Sequence, residues 1–176
     1  MSRALGAARQ NGMIVADLDR AIDHFVETLG AGPFFVIRHV PLEYFTYHGR
    51  PSEPDISIAL GNMGELQLEL IEQHNEAPSP YRHFAEIKKA GLHHISAWTD
   101  RFDGVMGELR QRERMPDCEG AILGGARFAY FGCDAVDGSA FEISDLGAQN
   151  EFGAIHDLVR EAALNWDGAE PLRQLG

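Results

Sequence analysis

Long apolar runs, cysteines and basic residues are all scarce in this chain of 176 residues. Its longest apolar stretches, such as residues 56–60, are far too short to cross a membrane as a helix. The N-terminus lacks the apolar segment of a signal peptide. The two cysteines, Cys118 and Cys133, do not make a disulfide framework. We therefore expect a soluble, cytoplasmic protein.

The balance of charge limits the partners of the chain. Acidic residues outnumber basic ones by 27 to 15, which gives a formal net charge of −12. Nucleic acids and anionic membrane surfaces would repel such a protein, so neither is expected as a partner. Hydrophobic residues make up 44% of the chain, enough for a buried core. We expect one domain over residues 1–176 that binds a small molecule.

An internal repeat is the most informative pattern in the sequence. Residues 10–16 are typical of a strand, Asp17 of a helix N-cap and Gly30 of a helix end. An offset of 84 residues carries this strand and helix onto a second pair that begins at His94. The apolar helix positions of the first unit fall on apolar positions of the second: Leu18, Ala21, Ile22 and Phe25 on Phe102, Val105, Met106 and Leu109.

Each strand–helix unit is followed by extended segments, which predicts two β-α-β-β-β modules and an α+β fold. We place the first module at residues 10–73 and the second at 92–146, with a linker helix in 74–91. Residues 147–176 are predicted to form a C-terminal helix, Glu151–Leu164, and a frayed tail after Asn165.

Alternation along four predicted strands gives each strand one apolar face and one face that bears a polar side chain. In residues 65–71 the leucines share the face that must lie under a helix, so the carboxylates point the other way. The polar residues on the helix-free faces are Gln10, Glu69, His94 and Glu142. Such a sheet suggests a concave cavity. The same alternation predicts that His93 points to the opposite face, in a structural role.

Two carboxylates, an imidazole and an amide oxygen suit a divalent cation. Zn²⁺ accepts such ligands readily, and Ni²⁺, Co²⁺, Mn²⁺ or Fe²⁺ are alternatives. A metal there would polarise a substrate carbonyl, and a carboxylate beside it could move the adjacent C–H proton. Each residue taken singly is more often structural, but Gln10 pairs with His94, and Glu69 with Glu142, at equivalent positions of the repeat. Most of the aromatic residues are expected in the core, and some are expected to line an apolar pocket near these ligands. They are Phe34, Phe35, Tyr44, Phe45, Tyr47, Trp98, Phe128, Tyr130 and Phe131.

Four stretches resemble one known superfamily. Residues 10–30 look like the opening of a glyoxalase I module, and residues 68–71 like the strand that supplies its second ligand. Residues 91–95 are similar to the region of methylmalonyl-CoA epimerase whose second histidine binds metal. Asp137-Gly138, followed by residues 141–143, resembles the last ligand strand. Over roughly residues 10–146, the chain thus resembles the vicinal oxygen chelate superfamily, also called the glyoxalase/bleomycin-resistance/dioxygenase fold.

The resemblance implies two paired βαβββ modules in an incompletely closed barrel around a central cavity with one metal ion, often in a homodimer. It carries the metal ligands onto Gln10, Glu69, His94 and Glu142, a set similar to that of zinc-dependent glyoxalase I. Gln10 argues against the extradiol dioxygenases, which use two histidines and one carboxylate. The epimerases have a separate glutamate base on the strand before Glu69, and residues 55–58 hold no clear equivalent.

Our leading hypothesis is a metal-dependent isomerase or lyase of the lactoylglutathione lyase type that transfers a proton alpha to a carbonyl. Glu142 is the candidate base, with Glu69 as its partner or as the alternative base. The cofactor would be a divalent ion, zinc first. The alternatives are a non-catalytic small-molecule binding protein of the same fold and an acyl-CoA epimerase. The substrate would then be an apolar molecule or a thioester.

Overall fold

A computed structural model describes residues 5–134, 140–146 and 151–175 of the chain. Asp137 and Gly138, which contribute to the resemblance of the last ligand strand, lie outside the described residues. No helix in the described ranges is long and apolar enough to cross a membrane.

Four helices and one large sheet make up the described part of the chain. The helices are α1 (Leu18–Leu29), α2 (Pro80–Lys88), α3 (Phe102–Gln111) and α4 (Glu151–Leu164). The strands of the first half are β1 (Ala8–Ile14), β2 (Phe34–Ile37), β3 (Leu42–Tyr47), β4 (Arg50–Pro51), β5 (Ile56–Met63) and β6 (Leu66–Gln73). The remaining strands are β7 (Gly91–Thr99), β8 (Cys118–Ile122), β9 (Arg127–Phe131), β10 (Ala140–Asp145) and β11 (Leu172–Gln174).

The predicted start and end of the first helix are confirmed. The Asp17 side chain accepts a hydrogen bond from the backbone N–H of Arg20 at 3.0 Å, as an N-cap does. Gly30 ends α1 in the left-handed conformation, with φ at 62°, which a residue without Cβ adopts at little cost. The Glu72 carboxylate accepts from the N–H of Leu18, the first helical residue, and so satisfies a second free donor.

The order of the strands shows the repeat directly. From one edge to the other the sheet reads β11-β2-β5-β6-β1-β7-β10-β9-β8-β3-β4. In the first half β1 is followed outward by β6, β5 and β2, and in the second half β7 is followed by β10, β9 and β8. The two halves join where β1 and β7 pair antiparallel. The α+β class with two paired βαβββ modules is therefore confirmed.

The hairpin of β3 and β4 departs from the simple repeat. It is inserted between β2 and β5 of the first half, yet β3 pairs with β8 of the second half. Because residues 38–41 connect β2 to β3, this short segment links the two sides of the curved sheet. The hairpin thereby helps to enclose the space between the halves.

The helices α1 and α3 cover the outer face of the sheet, as the alternation predicts. Leu18 and Ile22 of α1 pack with Leu68 and Leu70, which are the leucines predicted to lie under a helix. On the second half, Phe102, Val105 and Met106 of α3 pack against Ala129 and Ile143, and Phe141 and Phe131 adjoin them. The opposite, inner face lines a cavity, to which α2 and α4 contribute Tyr81 and His156.

The segment after Asn165 is not frayed, so that prediction is wrong. Its strand β11 pairs in parallel with β2, and the N–H of Phe34 donates to the carbonyl of Pro171 at 2.8 Å. The Trp166 ring lies over Gly32, so close that a Cβ there would be 2.8 Å from the ring. Three residues of edge strand are held by main-chain hydrogen bonds, which leave no periodic pattern in the sequence.

Candidate metal centre and cavity

A cavity that is open at its mouth lies on the inner face of the sheet. Aliphatic side chains in its wall include Ile56, Ile58 and Leu60 of β5, Ile71 of β6, Leu42 of β3, and Val40, which precedes β3. Phe128, Tyr130 and Trp98 also line it, which agrees with the expectation that some of the aromatic residues lie at the pocket. Its polar lining includes Gln10, Glu69 and Glu142.

Three of the four predicted ligands converge on one point. Glu69 of β6, His94 of β7 and Glu142 of β10 each offer a ligand atom, and these atoms all lie within 4.8 Å of one another. His94 Nε2 is 3.3 Å from Glu69 Oε2 and 3.4 Å from Glu142 Oε2. In the sheet β7 is adjacent to β10 and is separated from β6 only by β1. The duplication therefore brings the ligands together across the β1–β7 junction.

The distances from His94 Nε2 to the two carboxylates fit joint coordination of a metal ion better than they fit charge-assisted hydrogen bonds. A charge-assisted N–H···O hydrogen bond would bring nitrogen and oxygen to about 2.7–2.9 Å. Bonds of about 2.0–2.1 Å to a tetrahedral zinc ion place neighbouring ligand atoms about 3.3–3.4 Å apart. Within the described residues, the buried atoms His94 Nε2 and Glu142 Oε2 make no hydrogen bond. A divalent cation would satisfy both atoms.

Gly12 makes room for the imidazole of His94. The two residues are cross-strand partners in β1 and β7. A Cβ built on Gly12 would overlap Cε1 of the His94 ring, and the ring is fully buried. The missing side chain at Gly12 is therefore what allows His94 to lie flat against β1 and face the two carboxylates.

His93 does not point to the opposite face, so that prediction is wrong. The β1–β7 register shifts between Gly12 and Met13, and this irregularity turns the His93 ring beside that of His94, with the two Nδ1 atoms 3.0 Å apart. Burial lowers the pKa of His93 to about 3, so this imidazole is neutral at pH 7. A neutral His93 that accepts from His94 Nδ1–H leaves His94 Nε2 free as a ligand atom.

Without a metal ion, Glu69, His94 and Glu142 influence one another's pKa values. Burial, followed by the nearby charge of Glu142, raises the pKa of Glu69. Burial alone would lower the pKa of His94, but Glu142 and Glu69 outweigh it and raise that pKa to about 9. For Glu142 the effect of burial is outweighed by His94, with help from Ser96 and Ser144, so its pKa is lowered.

Gln10, the fourth predicted ligand, lines the same cavity and is buried. Its amide nitrogen donates a hydrogen bond to Gln67 Oε1 at 2.9 Å. The role of Gln10 as a metal ligand stays a prediction.

Two cavity residues were missed because they lie outside the repeated modules. Tyr81, at the start of α2, donates a hydrogen bond to the hydroxyl of Tyr130 at 3.3 Å, and both rings are buried. His156 of α4 stacks on Trp98 with ring centroids 4.4 Å apart, and it lines the cavity beside Glu142. A histidine on the otherwise apolar face that α4 turns to the sheet, near Val159, is the feature of the sequence that could have indicated this position.

The sequence profile of one superfamily matches residues 9–130 of the chain, and its description is Glyoxalase/Bleomycin resistance protein/Dioxygenase superfamily. A search of curated protein sequences finds no match.

Solved structures with the same fold are similar to this chain at low sequence identity. Methylmalonyl-CoA epimerase from Mycobacterium tuberculosis has a TM-score of 0.58 at 18% identity, over 82% of this chain and 91% of that one. A methylmalonyl-CoA epimerase in complex with methylmalonyl-CoA and NH4+ has a TM-score of 0.57 at 18% identity, over 83% and 98% of the two chains. A hypothetical protein from Bacillus halodurans C-125 has a TM-score of 0.57 at 19% identity, over 79% and 93%. The profile match, the paired βαβββ modules and the buried Glu-His-Glu cluster lead to one conclusion: the chain belongs to the glyoxalase/bleomycin resistance protein/dioxygenase superfamily.

Proposed function

We propose that the protein is a divalent-metal-dependent isomerase or lyase that transfers a proton alpha to a carbonyl of a small-molecule substrate. The observation that carries this proposal is the buried cluster of Glu69, His94 and Glu142 at the cavity wall. One imidazole and two carboxylates suit zinc best, and nickel, cobalt, manganese or iron are alternatives. The bound ion would supply Lewis acidity, which polarises a substrate carbonyl and makes the neighbouring C–H more acidic.

Glu142 is the proposed base. Interaction with His94 lowers its pKa, and the nearby hydroxyls of Ser96 and Ser144 act in the same direction, so its carboxylate is ionised at neutral pH. Glu69 is its proposed partner and the alternative base, because its carboxyl lies in the same cluster at the cavity wall. Two carboxyls at one site suit the removal of a proton from one carbon and its return to the next.

The lining of the cavity supports an apolar substrate. Aliphatic residues of β5 and β6, such as Ile58 and Ile71, face the space beside the carboxylates. Among the described residues that line the cavity there is no lysine or arginine to hold the carboxylates of a glutathione conjugate. We therefore favour a compact carbonyl compound with a hydrophobic body.

An acyl-CoA epimerase is the second candidate, because two of the solved structures with this fold are methylmalonyl-CoA epimerases, one in complex with methylmalonyl-CoA. The interior of this chain favours it less. On β5, the strand before the one that carries Glu69, the residues that face the cavity are Ile56, Ile58 and Leu60. The Ser57 hydroxyl of the same strand instead contacts His74 Nε2 at 2.7 Å.

Exchange of substrate hydrogen with solvent tests the proposal. Zinc-loaded protein is incubated in D2O with a panel of hydrophobic hydroxyketones, hemithioacetals and acyl-CoA thioesters, and deuterium at the alpha carbon is followed by NMR. We expect wash-in for an apolar carbonyl compound, loss of wash-in for metal-free protein, and loss for Glu142→Gln even when zinc is bound.

A protein that binds a small molecule without catalysing a reaction is the third candidate. The same experiment distinguishes it from the two enzymes. If panel members bind, as seen by line broadening, and none exchanges hydrogen in either metal state, the protein is a small-molecule binding member of the fold. Exchange confined to the thioesters would favour the epimerase instead.

A further inference from the structure

A buried contact between two amides lies next to the proposed metal centre. Gln10 Nε2 of β1 donates to Gln67 Oε1 of β6 at 2.9 Å. The two residues are direct partners in the parallel pairing of these strands, and they are 3% and 1% exposed. The contact is therefore a fixed part of the interior rather than a surface interaction.

The direction of this hydrogen bond decides which end of Gln10 faces the cavity. A glutamine amide carries a donor nitrogen on one side and an acceptor oxygen on the other, and only the oxygen binds a divalent cation. The terminal torsion of a free glutamine is broad, so either end can be presented. Because Gln67 Oε1 is occupied by the Gln10 nitrogen, the oxygen of Gln10 is left for the cavity that Gln10 lines with Glu69 and Glu142.

The position of Gln67 on β6 suits it to hold the amide of Gln10. It lies two residues before Glu69, on the same face of β6, so one strand carries both a cluster carboxylate and the partner of Gln10. Within the described residues, the buried Gln67 Nε2 makes no hydrogen bond. The contact with Gln10 is thus the one that fixes the Gln67 side chain in this part of the structure.

We propose that Gln67 is a positioning residue that holds the amide of Gln10 with its oxygen toward the metal ion. This inference rests on the proposed metal-dependent function, and it makes Gln10 the fourth ligand beside Glu69, His94 and Glu142. Groups that orient a metal ligand from behind typically change metal affinity by about 10- to 100-fold when they are removed.

Zinc affinity, measured by competition with a chromophoric chelator, tests the inference without any substrate. Gln67→Met removes the acceptor and is expected to weaken zinc binding about 10-fold or more. Gln67→Asn, whose amide is too short to reach Gln10, should weaken it too and guards against misfolding of the first variant. Gln67→Glu keeps an acceptor and should bind zinc at least as tightly as the wild type. The visible spectrum of the Co²⁺-loaded protein should change alike in Gln67→Met and Gln10→Ala.

A double-mutant cycle and a matched control complete the test. In a Gln10→Ala background, Gln67→Met should cause no further loss, because the residue acts only through Gln10. Gln73→Met is the same substitution on the same strand, but the Gln73 amide donates to Asn75 and Ala77 in the following loop. It should leave zinc affinity unchanged. Wild-type affinity in Gln67→Met, or an equal loss with and without Gln10, would overturn the inference.

The variant His94→Ala distinguishes failure of the proposed metal centre from failure of the proposed role of Gln67. If it abolishes zinc binding while Gln10→Ala and Gln67→Met do not weaken it, the metal centre stands and only the role of Gln67 fails. If His94→Ala binds zinc as the wild type does, the metal centre itself fails.

Discussion

Gly12 is the residue on which the position of His94 depends most directly. Its missing side chain leaves the space that the His94 ring fills, and a Cβ there would overlap Cε1 of the ring. We expect Gly12→Ala to displace the imidazole and weaken zinc binding at least about 10-fold, as loss of ligand orientation does at other metal sites. Zinc affinity by chelator competition measures the effect.

Gly107→Ala is the matched control for this change. Gly107 lies in α3, and a Cβ there would meet no atom within 4 Å. The substitution should leave zinc affinity unchanged and stabilise the fold by up to about 1 kcal/mol, because alanine favours a helix over glycine. Unaltered zinc binding in Gly12→Ala would contradict the account of His94.

His156 should make the stability of the protein depend on pH. Burial lowers its pKa to about 4, against a smaller opposing effect of Glu142. A histidine with a lowered pKa in the folded state stabilises the protein fully above the unfolded pKa of about 6.5, and this contribution is lost as the pH falls toward the folded value. Between pH 6.5 and 5 the loss approaches about 2 kcal/mol.

Urea unfolding of the metal-free protein at several pH values tests this expectation. The wild type should lose more stability than His156→Gln between pH 7.5 and 5, by about 2 kcal/mol. Two curves that run parallel over this range would show that His156 is free to take up a proton in the folded protein.

At the scale of elements, the repeat made most of the fold predictable. Apolar spacing and the signals at Asp17 and Gly30 located α1, and the offset that carries Gln10 onto His94 located its counterpart. Strict alternation then placed Glu69, His94 and Glu142 on one inner face, where the structure brings them together. These features are local and periodic, so a sequence contains them directly.

The elements that were missed depend on contacts distant in sequence. The register shift that turns His93 toward His94 is set by pairing between β1 and β7. The crossing of β3 to β8 and the return of β11 to β2 depend on main-chain hydrogen bonds, which any residue types can make. His156 reaches the cavity only because α4 packs across β5. None of these contacts leaves a period in the sequence.

The C-terminal segment gives a prediction at this scale. Trp166 packs over Gly32, its Nε1 donates to the carbonyl of Ala169 at 2.7 Å, and β11 follows. Trp166→Ala should therefore loosen β11 and reduce the free energy of unfolding by about 1–2 kcal/mol, part of the cost of removing a buried tryptophan. Leu164→Ala, at a position 59% exposed, should change it by less than about 0.5 kcal/mol. Equal effects of the two substitutions, measured in urea, would show that Trp166 does not anchor the segment.

At the scale of the whole molecule, the number of chains in the assembly stays a prediction. We expect a homodimer, by similarity to the superfamily to which the chain belongs. The described part of α4 packs on its own chain, with Val159 against Phe35 and Leu60, so the helix already covers apolar surface within one protomer. Light scattering at micromolar concentration measures the mass, and a monomer of 19.4 kDa would contradict the expectation.

The central claim is that Glu69, His94 and Glu142 hold a divalent cation. The most direct test is the zinc content of the protein after loading and exhaustive dialysis, measured by plasma mass spectrometry. We predict about one zinc ion per chain for the wild type and for His83→Ala, whose side chain is 40% exposed outside the cluster. His94→Ala should retain almost none. Wild-type protein that loses all its zinc, or His94→Ala that keeps as much as the wild type, would contradict the account.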